Sequence, residues 1–170
     1  PPTTCIRLAE QTIAWLDQPQ HHLIKQTSPH YPKSLLQLKN PPSWLFAAGN
    51  PDLLTPTNRF LLGCIGARKH SIQAQETINI LFTPTIKWPL VLVSGLALGI
   101  DSLIHYKALD LNIPTIAVLA QHPSQVYPAS RLNLHKTIAN QGLCISEMPL
   151  GQPIQKHHFP QRNRIIAGIC

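Results

Sequence analysis

Four short apolar runs occupy the chain from residue 60 onward: FLLGCIG, LVLVSG, PTIAVLA and LCISE. None alternates apolar with polar residues, so each strand must be buried on both faces. Between them HSIQAQETINILF, GIDSLIHYKALDL and SRLNLHKTIANQ carry apolar residues at helical spacing, and RNRIIAGIC begins a further helix. Buried strands that alternate with helices need a parallel sheet covered on both faces. The pattern predicts an α/β fold, a Rossmann-like, doubly wound, mainly parallel sheet over residues 59–170.

Upstream the pattern is weaker. Ile6, Leu8, Ile13 and Leu16 share helical spacing, so residues 6–16 are read as a short helix. The stretch 28–58 is rich in proline. It is read as one helical turn at 33–39, a small strand at 44–48 and turns elsewhere. Residues 26–58 are therefore expected to be a connector packed on the main domain.

Length suits one domain with a short appendage. Fourteen Lys and Arg against seven Asp and Glu give a formal charge of +7. Such an excess favours anionic partners, whether nucleic acid, phosphorylated small molecules or an anionic membrane face. No acid follows Glu147, while Lys156, Arg162 and Arg164 do, with His157 and His158. Cys5, Cys64, Cys144 and Cys170 form no C-x-x-C pair, which argues against zinc. Cys64 and Cys144 sit in apolar runs, where a free thiol behaves as a small hydrophobe. A reducing, cytoplasmic location is expected. No apolar run reaches the roughly 18 residues of a membrane span. The chain opens without Met and stops directly after an apolar run, and is read as a piece of something longer, its sheet truncated at the C-terminal end.

In open parallel sheets ligands bind outside the carboxyl ends of the strands. After the first run, GCIGARKHS lacks the G-x-G-x-x-G spacing of a dinucleotide site but places Arg68 and Lys69 at the edge, with Ser71 as a helix N-cap. A guanidinium beside a helix start grips phosphate; the bland alternative is a solvated pair on a turn. After the second run, SGLALGID offers Ser94 as a donor and Gly95 as a site of positive φ and close ligand approach, unless the glycines serve the turn alone. Asp101 and His105 share a helix face, as an acid–base pair or, more commonly, a structural one. After the third run, Tyr127-Pro128 makes a stiff turn and Arg131 opens a helix, either solvated or ligand-facing. After the fourth, Glu147 has no evident partner, and a proline-stiffened loop delivers Lys156 to Phe159, Arg162 and Arg164. A phenyl ring among cations suits a single strand, whose bases stack while the cations follow phosphates. The competing reading has Phe159 anchoring the loop and the arginines capping strand ends.

Together these segments resemble the DNA-processing protein A family. The resemblance covers about residues 20–170 and includes YPKSLLQLKNPPSWLFAAGN, GARKHS, VSGLALGIDSLIHYKAL, TIAVLA, GLCISEMPLG and FPQRNRIIAG, in order. It implies a non-catalytic protein that binds and protects single-stranded DNA during natural transformation and helps load the RecA recombinase. It also implies an extended Rossmann fold, residues 1–25 being the remnant of a preceding helical domain. The family continues past RNRIIAGIC with elements that complete the sheet and carry a homodimer surface. The family's DNA-gripping arginine maps onto Arg68, although Ala67 stands where the family has Ser or Thr. Its basic residue maps onto Lys156, its phenylalanine onto Phe159, and its paired arginines onto Arg162 and Arg164. Ser94, Gly95 and Gly99 match its Gly-rich turn. No cofactor or metal is expected.

A second class of function is a nucleotide or nucleoside-monophosphate enzyme of the phosphoribohydrolase kind, with Glu147 or Asp101 as acid or base. Those enzymes carry a PGGxGT turn, and nothing here matches it.

Overall fold

The computed structural model describes residues 2–83 and 89–170. Helix α1 spans Pro2–Leu16, followed by strands β1 (His21–Lys25) and β2 (Trp44–Gly49). Then come β3 (Phe60–Gly63), α2 (Ile72–Leu81), β4 (Leu90–Ser94), α3 (Ile100–Asp110), β5 (Thr115–Val118), α4 (Leu132–Gln141), β6 (Leu143–Ser146) and α5 (His158–Ile169). One sheet of six strands runs in the order β1-β2-β6-β5-β4-β3. Strands β3 to β6 are mutually parallel, and β1 and β2 are added antiparallel beyond β6.

Three of the four apolar runs, β4, β5 and β6, are the buried parallel centre, with Val91, Val93, Ile116, Val118, Leu143 and Ile145 buried on one side. Their alternate neighbours Leu92, Ala117 and Cys144 are buried on the other. Ile165, Ile166 and Ile169 of α5 close the first face. Ile78 of α2, Ile104 and Ala108 of α3, and Leu134 and Ile138 of α4 close the second. For β4, β5 and β6 this two-sided burial is the reason the runs are continuous rather than alternating. The first run, β3, expected to be buried on both faces, is instead the edge strand of the sheet, with Phe60 71% exposed and Leu62 also exposed, because only β4 pairs with it.

Three further differences from the sequence reading have plain causes. Strand β1, HHLIK, carries too little apolar alternation to be legible; it is an edge strand whose Ile24 alone is buried. Strand β2 lies inside the proline-rich stretch yet pairs with both β1 and β6, so that stretch contributes to the main sheet. Helix α5 begins at His158, four residues before RNR, with Pro160 in its first turn, where a missing amide costs no intrahelical bond. At the other end Trp15 of α1 stacks on His21, centroids 4.1 Å apart, and meets Phe46 and His122 edge-on. Among the described residues no helix is long and apolar enough to cross a membrane.

Candidate nucleic-acid interface

The carboxyl ends of β3, β4, β5 and β6 emerge on one edge, and the loops they feed carry the residues singled out from sequence. The loop after β3 is bolted to the start of α3. Ile100 N–H donates to the Ala67 carbonyl at 3.1 Å, and Gly66 N–H to Asp101 Oδ1 at 3.3 Å. Gly99, at φ +85°, permits this docking, since a Cβ there would overlap the Ala67 carbonyl oxygen. Ser71 caps α2 as read, accepting from Ala74 N–H at 3.2 Å. Arg68 and Lys69 are left exposed on the rim.

Arg68 lies over the ring of Phe159, its guanidinium carbon 5.0 Å from the centroid. A cation over a ring face adds about 0.5–1 kcal/mol at an exposed site. Tyr127, from the loop after β5, comes within 5.9 Å of the same ring, tilted by 53°. These three side chains, with Gly95 and Gln121, line a small open groove of about 60 Å³. A second hollow beside it shares Arg68 and Phe159 and reaches Asp101 and Arg162.

Beneath the groove, Arg162 is 4% exposed. Its guanidinium donates to the carbonyls of Gly95 and Val118 and to Asn163 Oδ1 at 3.0 Å, and faces the Asp101 carboxylate at 3.8 Å. Burial raises the Asp101 carboxyl above its ordinary value and lowers that of Arg162, while each charge favours the ionised form of the other. One buried ion pair therefore joins α5 to the ends of β4 and β5 and, through Asp101, to the Arg68 loop. Gly95 serves this pair: a Cβ there would fall within the Arg162 guanidinium. Its φ is not positive; Leu96 and Gly99 supply the positive φ of that turn.

The candidate residues therefore separate. Arg68, Gly95 and Phe159 meet at the groove, and Arg162 meets them from below, its donors spent on protein oxygens. Lys69 and Lys156 are exposed and flank it in the chain. Ser94 is fully buried and donates to the Cys64 carbonyl at 2.6 Å, so its hydroxyl is not offered to a ligand. Arg164 pairs with Glu147, the partner that the sequence did not reveal. Arg131 is half-buried at the start of α4, away from the groove lining, and its Nε has no partner among the described residues. His105 does not work with Asp101; its Nδ1–H donates to Thr115 Oγ1 at 2.8 Å, because that hydroxyl already donates to the Leu92 carbonyl. Gln121 went unnoticed in sequence, its only signal being a polar residue three positions past a buried strand. No group of three metal-ligating side chains is present among the described residues.

The fold is a Rossmann-like domain whose sheet presents, past the carboxyl ends of its parallel strands, an exposed Arg68 over the Phe159 ring with Tyr127 beside it. This chain belongs to the DNA recombination-mediator protein A family, whose model matches residues 22–170. It is 35% identical to Protein Smf of Escherichia coli over 94% of its own length and 42% of the relative's. It is 38% identical to DNA processing protein DprA of Streptococcus pneumoniae over 82% of its length and 48% of the relative's. The crystal structure of Streptococcus pneumoniae DprA superposes with a TM-score of 0.82 at 33% identity, over 95% of this chain and 55% of that one. A DprA structure from Helicobacter pylori, described by its single-stranded DNA binding mode, superposes with a TM-score of 0.75 at 27% identity, over 88% of this chain and 66% of that one. The chain thus spans about half the length of the curated relatives it matches.

Proposed function

We propose that this chain is a non-catalytic module that holds single-stranded DNA along the carboxyl edge of its sheet. The observation that carries the reading is Arg68 over the Phe159 ring at an open groove; Lys69 and Lys156, close in sequence to these two residues, are exposed. Bases stack on the aromatic wall, and the three exposed cations follow the phosphates. Arg162 and Arg164 act from within, the first positioning Phe159 and the Arg68 loop, the second tying α5 to the loop after β6. Ala67 leaves phosphate contact at that turn to Arg68 and backbone amides. The single-strand binding mode described for the Helicobacter pylori relative supports the assignment.

The same proposal extends, for a longer parent protein, to shielding incoming strands in transformation and passing them to the RecA recombinase in the cytoplasm, the homodimer being a property of that parent. Both strand-end carboxylates considered as acid or base, Asp101 and Glu147, are paired with arginines, which supports binding without chemistry. The direct test is anisotropy of a labelled oligothymidine with duplex of equal length as competitor. Duplex should compete at least tenfold more weakly; equal competition would overturn a groove made for unstacked bases.

A further inference from the structure

Residues 18–51 contain no Asp or Glu, yet they carry Lys25, Lys33 and Lys39 with His21, His22 and His30. This stretch holds β1, β2 and the loop between them, at the end of the sheet opposite β3. Strand β2 runs antiparallel to β6, with Phe46 opposite Ser146, the last residue of β6. Trp44, two residues before Phe46, therefore stands just past the carboxyl end of β6, level with the loop that leads to Lys156. Lys25 is the register partner of Trp44. Directly opposed residues of an antiparallel pair hold their Cβ atoms about 5 Å apart on one face. Trp44 is 44% exposed, and Lys25 is exposed beside it. None of the three lysines has an ion-pair partner among the described residues. The loop that returns from Lys25 to Trp44 is pinned at its far end. Tyr31 Oη donates to the Pro42 carbonyl at 2.6 Å, and Gln26 Nε2 donates to the same oxygen at 3.3 Å. The fold thus holds an open indole and a free ammonium together on the edge that carries the groove.

Resting on the single-strand reading, we infer that the binding surface continues beyond the groove onto β2 and β1, where Trp44 stacks a further base of the same strand and Lys25 meets its phosphate. The sheet order is β5-β6-β2 and neighbouring strands lie about 4.8 Å apart, so β2 stands about 10 Å from β5, whose loop walls the groove. At a spacing of about 3.4 Å, three nucleotides span that interval. The loop after β6, which carries Lys156, leaves the sheet between the two places. A stretch without carboxylates suits a polyanion, and its place along the same edge makes the occupant the same strand rather than a second protein chain. An indole and one cation read no base edge, so the extension adds affinity without sequence preference.

The test compares wild type and Trp44→Ala on oligothymidines of about 5 and about 15 nucleotides at low salt, the shorter reaching across the groove alone. The inference predicts that Trp44→Ala binds the longer strand at least about fivefold more weakly, as loss of one stacked base implies, and the shorter one unchanged. Lys25→Ala, which keeps the indole, decides the matter if Trp44→Ala does not fold. It should lower the salt dependence of the longer strand by about 0.7 units of log K per decade, to that set by Arg68, Lys69 and Lys156, and leave the shorter strand's slope as it is. Equal losses on both strands would make Trp44 a support for the fold, and no loss on the longer strand would end the surface at the groove. Either result overturns the inference and leaves the single-strand reading standing. A wild-type protein that binds neither oligomer overturns that reading as well.

Discussion

Arg162 and Arg68 both border the hollow beside Phe159, yet one is 4% exposed and the other lies on the surface. A guanidinium whose donors already meet Gly95, Val118 and Asn163 has little left for a phosphate. Its exchange strands a buried carboxylate, because Asp101 then faces no cation. Arg162→Met is expected to cost about 3–5 kcal/mol of unfolding free energy, as one-sided breaking of a buried pair does. Denaturant unfolding with and without the added Asp101→Asn change checks this; neutralising Asp101 should recover part of the loss. Sequence could not separate the two arginines, since type and spacing are silent on which side of the sheet edge a guanidinium enters.

At the scale of elements, α3 rests on the sheet through His105, fully buried and bonded to Thr115 of β5. Burial lowers its pKa to about 3, and burial together with His21 lowers that of His122 to about 4. An unfolded histidine takes up its proton near 6.5, so below that pH the unfolded chain binds protons that the native one refuses. Native stability should hold above pH 7 and fall as the pH drops from 6.5, by about 2 kcal/mol for each of these two histidines at pH 5. Unfolding midpoints measured from pH 7.5 to 5 test it, and His105→Gln should flatten the curve. Strands β4, β5 and β6 were legible because burial on both faces leaves continuous apolar runs, whereas the equally apolar run of β3 forms an exposed edge. Strand β1 was not, because an edge strand with one buried side chain leaves no such mark. The early start of α5 was hidden by Pro160, which reads as a loop signal although the first helical turn accepts it.

For the whole molecule, an excess of +7 is spread unevenly: part of the basic C-terminal cluster is spent inside the fold, and a smaller number of cations remains for a ligand. Of the candidate cations, Arg68, Lys69 and Lys156 are exposed. At about −0.7 per neutralised phosphate, log K for a single strand should fall by about two units per decade of salt. Arg68, Lys69 and Lys156 lie in loops that follow the carboxyl ends of β3 and β6, and Phe159 opens α5 directly after the second of these, which is why strand order in the sequence was enough to assign these residues to one edge. The most direct measurement is the binding of a labelled oligothymidine at several salt concentrations by wild type and by Arg68→Ala/Lys156→Ala. The account predicts a wild-type slope near −2, and for the double variant at least tenfold weaker binding with a slope shallower by about 1.4. A double variant that matches wild type in both affinity and slope would contradict it.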